Sequence, residues 1–110
     1  MPDIAYLDRG QGKAVVLLPG FCETKEMWDG FQKGLSENYR VLCPDLPGFG
    51  ESTLPRSHFG IRDISSMLLG WMKGLDIHSP VVIGHSLGGY IALGMVEVDP
   101  GVLAGVGLFH

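Results

Sequence analysis

The chain predicts an α/β fold, a mostly parallel sheet with helices on both faces, and three observations lead there. Short apolar runs, partly β-branched, alternate along the chain with longer stretches whose apolar residues recur at helical spacing. The runs are followed by Pro, Gly or Asp, as buried strands leading into loops are. The residues that could carry chemistry cluster just after those runs, and ligands in open α/β sheets gather beyond the carboxyl ends of the strands.

Taken in order, Ile4 to Leu7 reads as an antiparallel edge, followed by the turn-prone Asp8-Arg9-Gly10-Gln11-Gly12. Ala14-Val15-Val16-Leu17-Leu18 is a buried strand ending at Pro19-Gly20. From Glu26 to Tyr39 the residues Met27, Trp28, Phe31, Leu35 and Tyr39 share one helical face, which predicts a first helix with that face inward. Arg40 to Pro44 reads as the next strand, and Asp45 to Pro55, rich in Gly and Pro, as an irregular loop. Ile61, Ile64, Leu68, Trp71 and Leu75 mark a second helix, with Asp63 in the first turn, where a negative charge meets the positive end of the helix dipole. Pro80 to Ile83 is a third strand of the parallel set. The helix after Ser86 is apolar nearly all round through Ile91, Leu93, Met95 and Val96, and is therefore expected to be buried on several sides. Pro100 stops it, and Val102 to Phe109 supplies a last apolar strand. Alternation of this kind is the pattern of parallel strands joined by crossover helices.

The bulk numbers bound the function. At 110 residues the chain has the size of one domain. It is 45% hydrophobic and 18% charged with a mean hydropathy of +0.22, which is little charge for a folded surface and suits a chain that lacks part of its cover. A net charge of -4 with no run of Lys or Arg argues against nucleic acid or an anionic membrane as partner, and nothing electrostatic names a substrate. Ser79 to Val96 carries no formal charge, but Pro80, His85, Ser86 and Gly88-Gly89 interrupt it, so no membrane span is expected. The N-terminus shows no secretory pattern, and the expected compartment is the cytoplasm. Cys22 and Cys43 are too few and too far apart for a zinc site and are expected as reduced thiols; no metal or cofactor is predicted.

The chemistry points to Gly84-His85-Ser86-Leu87-Gly88, a G-x-S-x-G placed between an apolar strand and an apolar helix. A serine hydroxyl is a poor nucleophile at neutral pH, so a protein that uses one exposes it on a tight turn, where flanking glycines remove side-chain clashes. The turn opens a helix, and the amide of Leu87 is then placed to face the oxyanion formed when Ser86 attacks a carbonyl. The bare pattern is weak in a chain with 17 glycines; its strand-to-helix setting, with Gly89 allowing close packing, makes it specific.

On these residues the chain resembles the α/β-hydrolase superfamily, in the branch of esterases, proline iminopeptidase-like peptidases, C–C bond hydrolases and related small-substrate enzymes. Three segments carry the resemblance: Leu17-Leu18-Pro19-Gly20-Phe21, similar to the family's oxyanion loop with Pro19 in place of the usual His; Asp45-Leu46-Pro47-Gly48-Phe49-Gly50-Glu51-Ser52, similar to its D-x-x-G-x-G-x-S loop; and the elbow itself. The resemblance implies Ser86 as catalytic serine, the backbone amides of Phe21 and Leu87 as oxyanion donors, and Gly20, His85 and His110 as residues lining the site. It also implies that residues 1–110 form a single N-terminal half of the domain, with the lid, triad acid and catalytic histidine absent.

Ordinary roles compete with these. For Ser86 the competing reading is an ordinary helix N-cap serine, against which the three matching segments weigh. His85 occupies the variable position of the elbow and is expected to pack or hydrogen-bond rather than act as base. His58 and His78 are expected in solvent; His110, ending the last strand on the Ser86 edge, is expected to line the site, with a role as base the lesser alternative, and Asp45 is expected to stabilise its loop, with triad acid the lesser alternative. Among functions, a serine hydrolase of a small ester, amide or C–C bond leads, since epoxide hydrolases and haloalkane dehalogenases would normally carry Asp at the elbow. The alternatives are a ligand-binding or sensor protein on the same fold and an inactive half-domain. Nucleotide binding ranks behind these, since there is no G-x-x-x-x-G-K-[ST] and Gly84 to Gly89 carries no lysine to meet phosphate. The last strand has no charge between Gly101 and Phe109, so it is expected as an edge that pairs with a second copy, giving a homodimer, or with a C-terminal fragment of the same protein.

Overall fold

The computed structural model describes residues 4–20, 23–47 and 60–109. Five strands, β1 (Tyr6–Arg9), β2 (Ala14–Leu18), β3 (Arg40–Pro44), β4 (Val81–His85) and β5 (Gly105–Phe109), form one sheet in the order β1-β3-β2-β4-β5. All neighbouring pairs are parallel except β1 with β3, so the predicted antiparallel edge and parallel core are both present. The register is set by the apolar runs: Val16 lies beside Leu42 and Val82, and Val82 beside Val106.

Side-chain alternation divides the strands between two cores. Val16, Leu18, Leu42 and Val82 face α2 (Ile61–Gly74) and α3 (Leu87–Val98), meeting Leu68, Met72, Ile91 and Met95. Val15, Leu17, Val41 and Cys43 face the other way, onto Trp28 and Leu35 of the first helical segment. Helices therefore cover both faces, as buried parallel strands require. Helix α2 starts where Asp63, three residues in, accepts the Gly60 amide at 2.9 Å.

Several expected boundaries move. The helix expected over Glu26 to Tyr39 is a 3₁₀ turn, Lys25–Trp28, followed by α1 (Asp29–Leu35). Its inward residues include Trp28 and Gln32, while Met27, Phe31 and Tyr39 are exposed. The reason is the change of period: three residues per turn up to Trp28 and 3.6 after it rotate the apolar stripe out of line. Tyr39 stands beyond the helix end, where its amide bonds to Leu35 O. Asp8 and Arg9, expected in a turn, extend β1, and the Arg40 guanidinium of β3 donates to both Asp8 carboxylate oxygens at 3.1 and 2.9 Å. The last strand begins at Gly105 instead of Val102, because Val102 closes a turn on Asp99 O and the Ala104 amide is taken by Pro80 O. Helix α3 is buried on one side only. Gly88, Ile91, Ala92 and Met95 pack inward, whereas Tyr90 is 64% and Leu93 48% exposed, since nothing among the described residues covers that side.

The order of strands places a switch point between β2 and β4. From β2 the chain moves one way to β3, and it then returns to add β4 and β5 on the other side. The crevice beyond the carboxyl ends at such a point is where sheets of this kind hold ligands.

Candidate active site

Ser86 is the first residue after β4 and immediately precedes α3, with φ 56° and ψ -114°. That conformation corresponds to the first central residue of a type II′ turn, a position glycine normally holds. A Cβ there costs about 1–3 kcal/mol and is kept only where the surroundings enforce it. The enforcement is visible. The Ser86 amide donates to Phe109 O at 3.1 Å, and its carbonyl accepts from Gly89 at 2.9 Å and Tyr90 at 3.3 Å. The hydroxyl makes no capping bond to α3 and the residue is exposed, so the N-cap role that competes for this serine is not the one it plays. An exposed hydroxyl on a strained turn at a strand-to-helix junction is the arrangement that presents a nucleophile.

The flanking glycines are required by contact. A Cβ on Gly84 would run into the backbone of Gly88 and Gly89, closing the space in which the turn folds back. One on Gly88 would lie 2.5 Å from Leu18 O and 2.6 Å from Pro19 O, so this glycine brings the start of α3 against the end of β2. Gly89 lets the helix approach β5, where an added Cβ would meet Leu108 at 3.3 Å. Leu87, whose amide is assigned to the oxyanion, is the first residue of α3.

Gly20 follows β2 at the same edge. It is held by a residue that sequence reasoning did not single out: Glu23 Oε1 accepts the Gly20 amide at 2.8 Å and lies 2.8 Å from His85 Nδ1. An ionised carboxylate only accepts, so Nδ1 of His85 carries the proton. His85 thus touches the site through Glu23, and no hydrogen bond joins it to Ser86. Glu23 is 62 positions from His85, and its only sequence signal was its place three residues after a glycine.

Asp45 follows β3, fully buried, and accepts from the Lys25 amide at 2.6 Å and from Lys25 Nζ at 3.0 Å. Lys25 is itself 6% exposed and also meets Glu26 Oε2 at 3.1 Å. The pair ties the segment after β2 to the end of β3. His78 lies far out in solvent beside Asp76, before β4 and so at the opposite edge from Ser86. Phe21, Cys22, His58, His110 and residues 48–52 of the D-x-x-G-x-G-x-S loop lie outside the described residues.

Beside Ser86 opens a cleft of about 430 Å³, lined by Ser86, Gly89, Tyr90, Leu93, Leu108 and Phe109. Its wall is mostly apolar. Phe109 also packs on Trp28 and Phe31, with ring centroids 6.0 and 6.3 Å away, which fixes one rim of the cleft. Among the described residues no group of three or more His, Cys, Asp or Glu comes together, and no helix is long and apolar enough to cross a membrane.

The fold and the elbow define a class, and comparison with known proteins agrees. The model of the alpha/beta hydrolase fold family matches residues 13–107, and the chain belongs to that family. The solved structure of a thermophilic esterase from Thermogutta terrifontis (malate bound) superposes with a TM-score of 0.91 at 33% identity, covering 96% of this chain and 39% of that one. A magnesium-chelatase 30 kDa subunit from Rhodobacter capsulatus is 37% identical over 90 residues, 81% of this chain and 32% of its own length. A soluble epoxide hydrolase from Corynebacterium sp. (strain C12) is 32% identical over 87 residues, 79% of this chain and 30% of its own length. The chain spans about a third of the length of these two curated relatives.

Proposed function

We propose that the protein is a serine hydrolase that cleaves a small ester, amide or C–C bond through an acyl-enzyme on Ser86. The observation that carries this reading is the backbone of Ser86 itself: a non-glycine residue strained at φ 56°, exposed, and walled by two glycines that admit no side chain. Stability alone would favour glycine there, so the retained hydroxyl points to chemistry. In this mechanism Ser86 Oγ attacks the substrate carbonyl, and the developing oxyanion takes hydrogen bonds from the amides of Leu87 and Phe21. The apolar cleft beside Ser86 holds the acyl or ring portion of the substrate. The reading assigns the triad acid and base to residues beyond this chain: among the described histidines, His85 has no hydrogen bond to Ser86 and His78 stands at the wrong edge. The similarity to an epoxide hydrolase does not shift the reaction class, since that chemistry would normally call for Asp at the position Ser86 occupies.

The test is turnover of p-nitrophenyl acetate and butyrate by the complete protein and its Ser86→Ala variant. The proposal expects a rate in the ordinary enzymatic range, about 1–1000 per second, lost by several orders of magnitude in the variant. The chain of residues 1–110 alone is expected to give at most weak catalysis. A sensor on the same fold would instead label at Ser86 and turn over slowly, and an unchanged rate in Ser86→Ala overturns the reading.

A further inference from the structure

We propose that Glu23 is a positioning residue for the Ser86 reaction, a carboxylate clamp that holds the end of β2 against the elbow; this rests on the serine-hydrolase reading above. One oxygen, Oε1, receives both the Gly20 amide and the Nδ1–H of His85, each at 2.8 Å. Gly20 opens the loop whose next amide, that of Phe21, is assigned to the oxyanion, and His85 is covalently next to Ser86. The shared oxygen thus connects the two elements whose relative placement decides where a tetrahedral intermediate finds its donors.

The site is built around this contact. A Cβ on Gly20 would collide with Glu23 Oε1 and lie 3.1 Å from His85 Nδ1 and 3.2 Å from His85 O, so a side chain there would push the Glu23 carboxylate off its contacts. The Glu23 amide returns a bond to Gly20 O at 3.1 Å, closing a turn whose two ends are held together twice. Two residues further, Lys25 is fastened to buried Asp45 through both backbone and side chain. The loop after β2 is therefore anchored on one side to β3 and on the other to the residue before Ser86.

The clamp acts on geometry, so its loss should appear in turnover and leave substrate binding largely alone. Removing an oxyanion donor costs about 10²–10³ in kcat, and a misplacement of about 1 Å about 10². A loosened loop should therefore cost roughly ten- to a hundredfold.

The experiment measures kcat and KM for p-nitrophenyl butyrate with the complete protein, per active site titrated with a fluorophosphonate, in Glu23→Ala, Glu23→Gln, His85→Ala, the double Glu23→Ala/His85→Ala and Ser86→Ala. The proposal expects Glu23→Ala to lose about ten- to a hundredfold in kcat with KM within about threefold. Glu23→Gln, which keeps the accepting oxygen, recovers most of that loss. The double variant is no worse than the more damaged single, because both break one contact. Should Glu23→Ala not fold, His85→Ala carries the same kcat test. The clamp is overturned if folded Glu23→Ala keeps kcat per titrated site within twofold, if Gln is as damaging as Ala, or if His85→Ala is as inactive as Ser86→Ala, which would make His85 a base. Full activity in Ser86→Ala overturns the serine reading and the clamp with it; an inactive Ser86→Ala beside an unaffected Glu23→Ala overturns the clamp alone.

Discussion

Replacing Ser86 by glycine is expected to stabilise the fold, the reverse of what glycine does at most positions. The residue stands at φ 56° and ψ -114°, where a Cβ costs about 1–3 kcal/mol and glycine pays none of it. Against this, glycine loses about 0.5–1 kcal/mol more backbone entropy on folding. The midpoints leave a net gain of about 1 kcal/mol, or about 2–8 °C in melting temperature depending on the size of the cooperative unit. Ser86→Ala is the control, since it keeps the Cβ and hence the strain while removing the hydroxyl that chemistry would need. Because Ser86 is exposed, that loss should lie within about 0.5 kcal/mol of neutral. Thermal unfolding followed by far-ultraviolet circular dichroism compares the two, with the expected order Ser86→Gly above Ser86→Ala. If Ser86→Gly melts below Ser86→Ala, the elbow stores no strain and the argument that the hydroxyl is retained against stability fails.

Other outcomes follow from the same geometry. Asp45→Ala removes the buried carboxylate that holds both the amide and the ammonium of Lys25 and should destabilise by about 1–3 kcal/mol, read by urea unfolding; an unchanged midpoint would mean that these bonds contribute nothing to the fold. Burial pushes the Cys43 thiol from 9.0 up to about 12, so the folded state keeps its proton where the unfolded state gives it up. The stability this confers is whole below about pH 9 and falls with rising pH, by up to about 1.4 kcal/mol per unit until about pH 12; Cys43→Ala should remove that slope relative to the parent protein. Strand β5 pairs with β4 alone among the described strands and exposes Val106, Leu108 and Phe109. We propose that residues 1–110 by themselves dimerise or swap through this edge, or bind a C-terminal fragment of the same protein. Light scattering on the isolated chain and on Val106→Lys checks it: a monomer indifferent to the added charge refutes the edge argument.

Much of this arrangement is legible in the residues because it depends on contiguous signals. A buried parallel strand is a continuous apolar run, so Ala14–Leu18 and Arg40–Pro44 are found with their ends. The elbow joins such a run to a helix through spaced glycines, and the contacts of Gly84 and Gly88 show why no other residue would serve. What depends on a change of helical period is not legible: nothing near Trp28 announces the passage from 3₁₀ to α that turns Phe31 outward and Gln32 inward. Contacts between polar residues distant in sequence are equally silent. Glu23 finds His85 across 62 positions and Lys25 finds Asp45 across 20, and each is an unremarkable charged residue in a loop until the sheet brings its partner close. Helix α3 misleads for another reason. Its apolar surface is a property of the sequence, but Tyr90 and Leu93 have no cover among the described residues.

The most direct test of the central claim is the site of covalent capture. The complete protein is treated with a fluorophosphonate, digested, and its serine-containing peptides are mapped by mass spectrometry against a Ser86→Ala control. The account predicts one stoichiometric adduct, on Ser86, formed by the native protein, abolished by prior unfolding and by the substitution. An adduct on another serine, or none on Ser86 in a protein that hydrolyses esters, would contradict it.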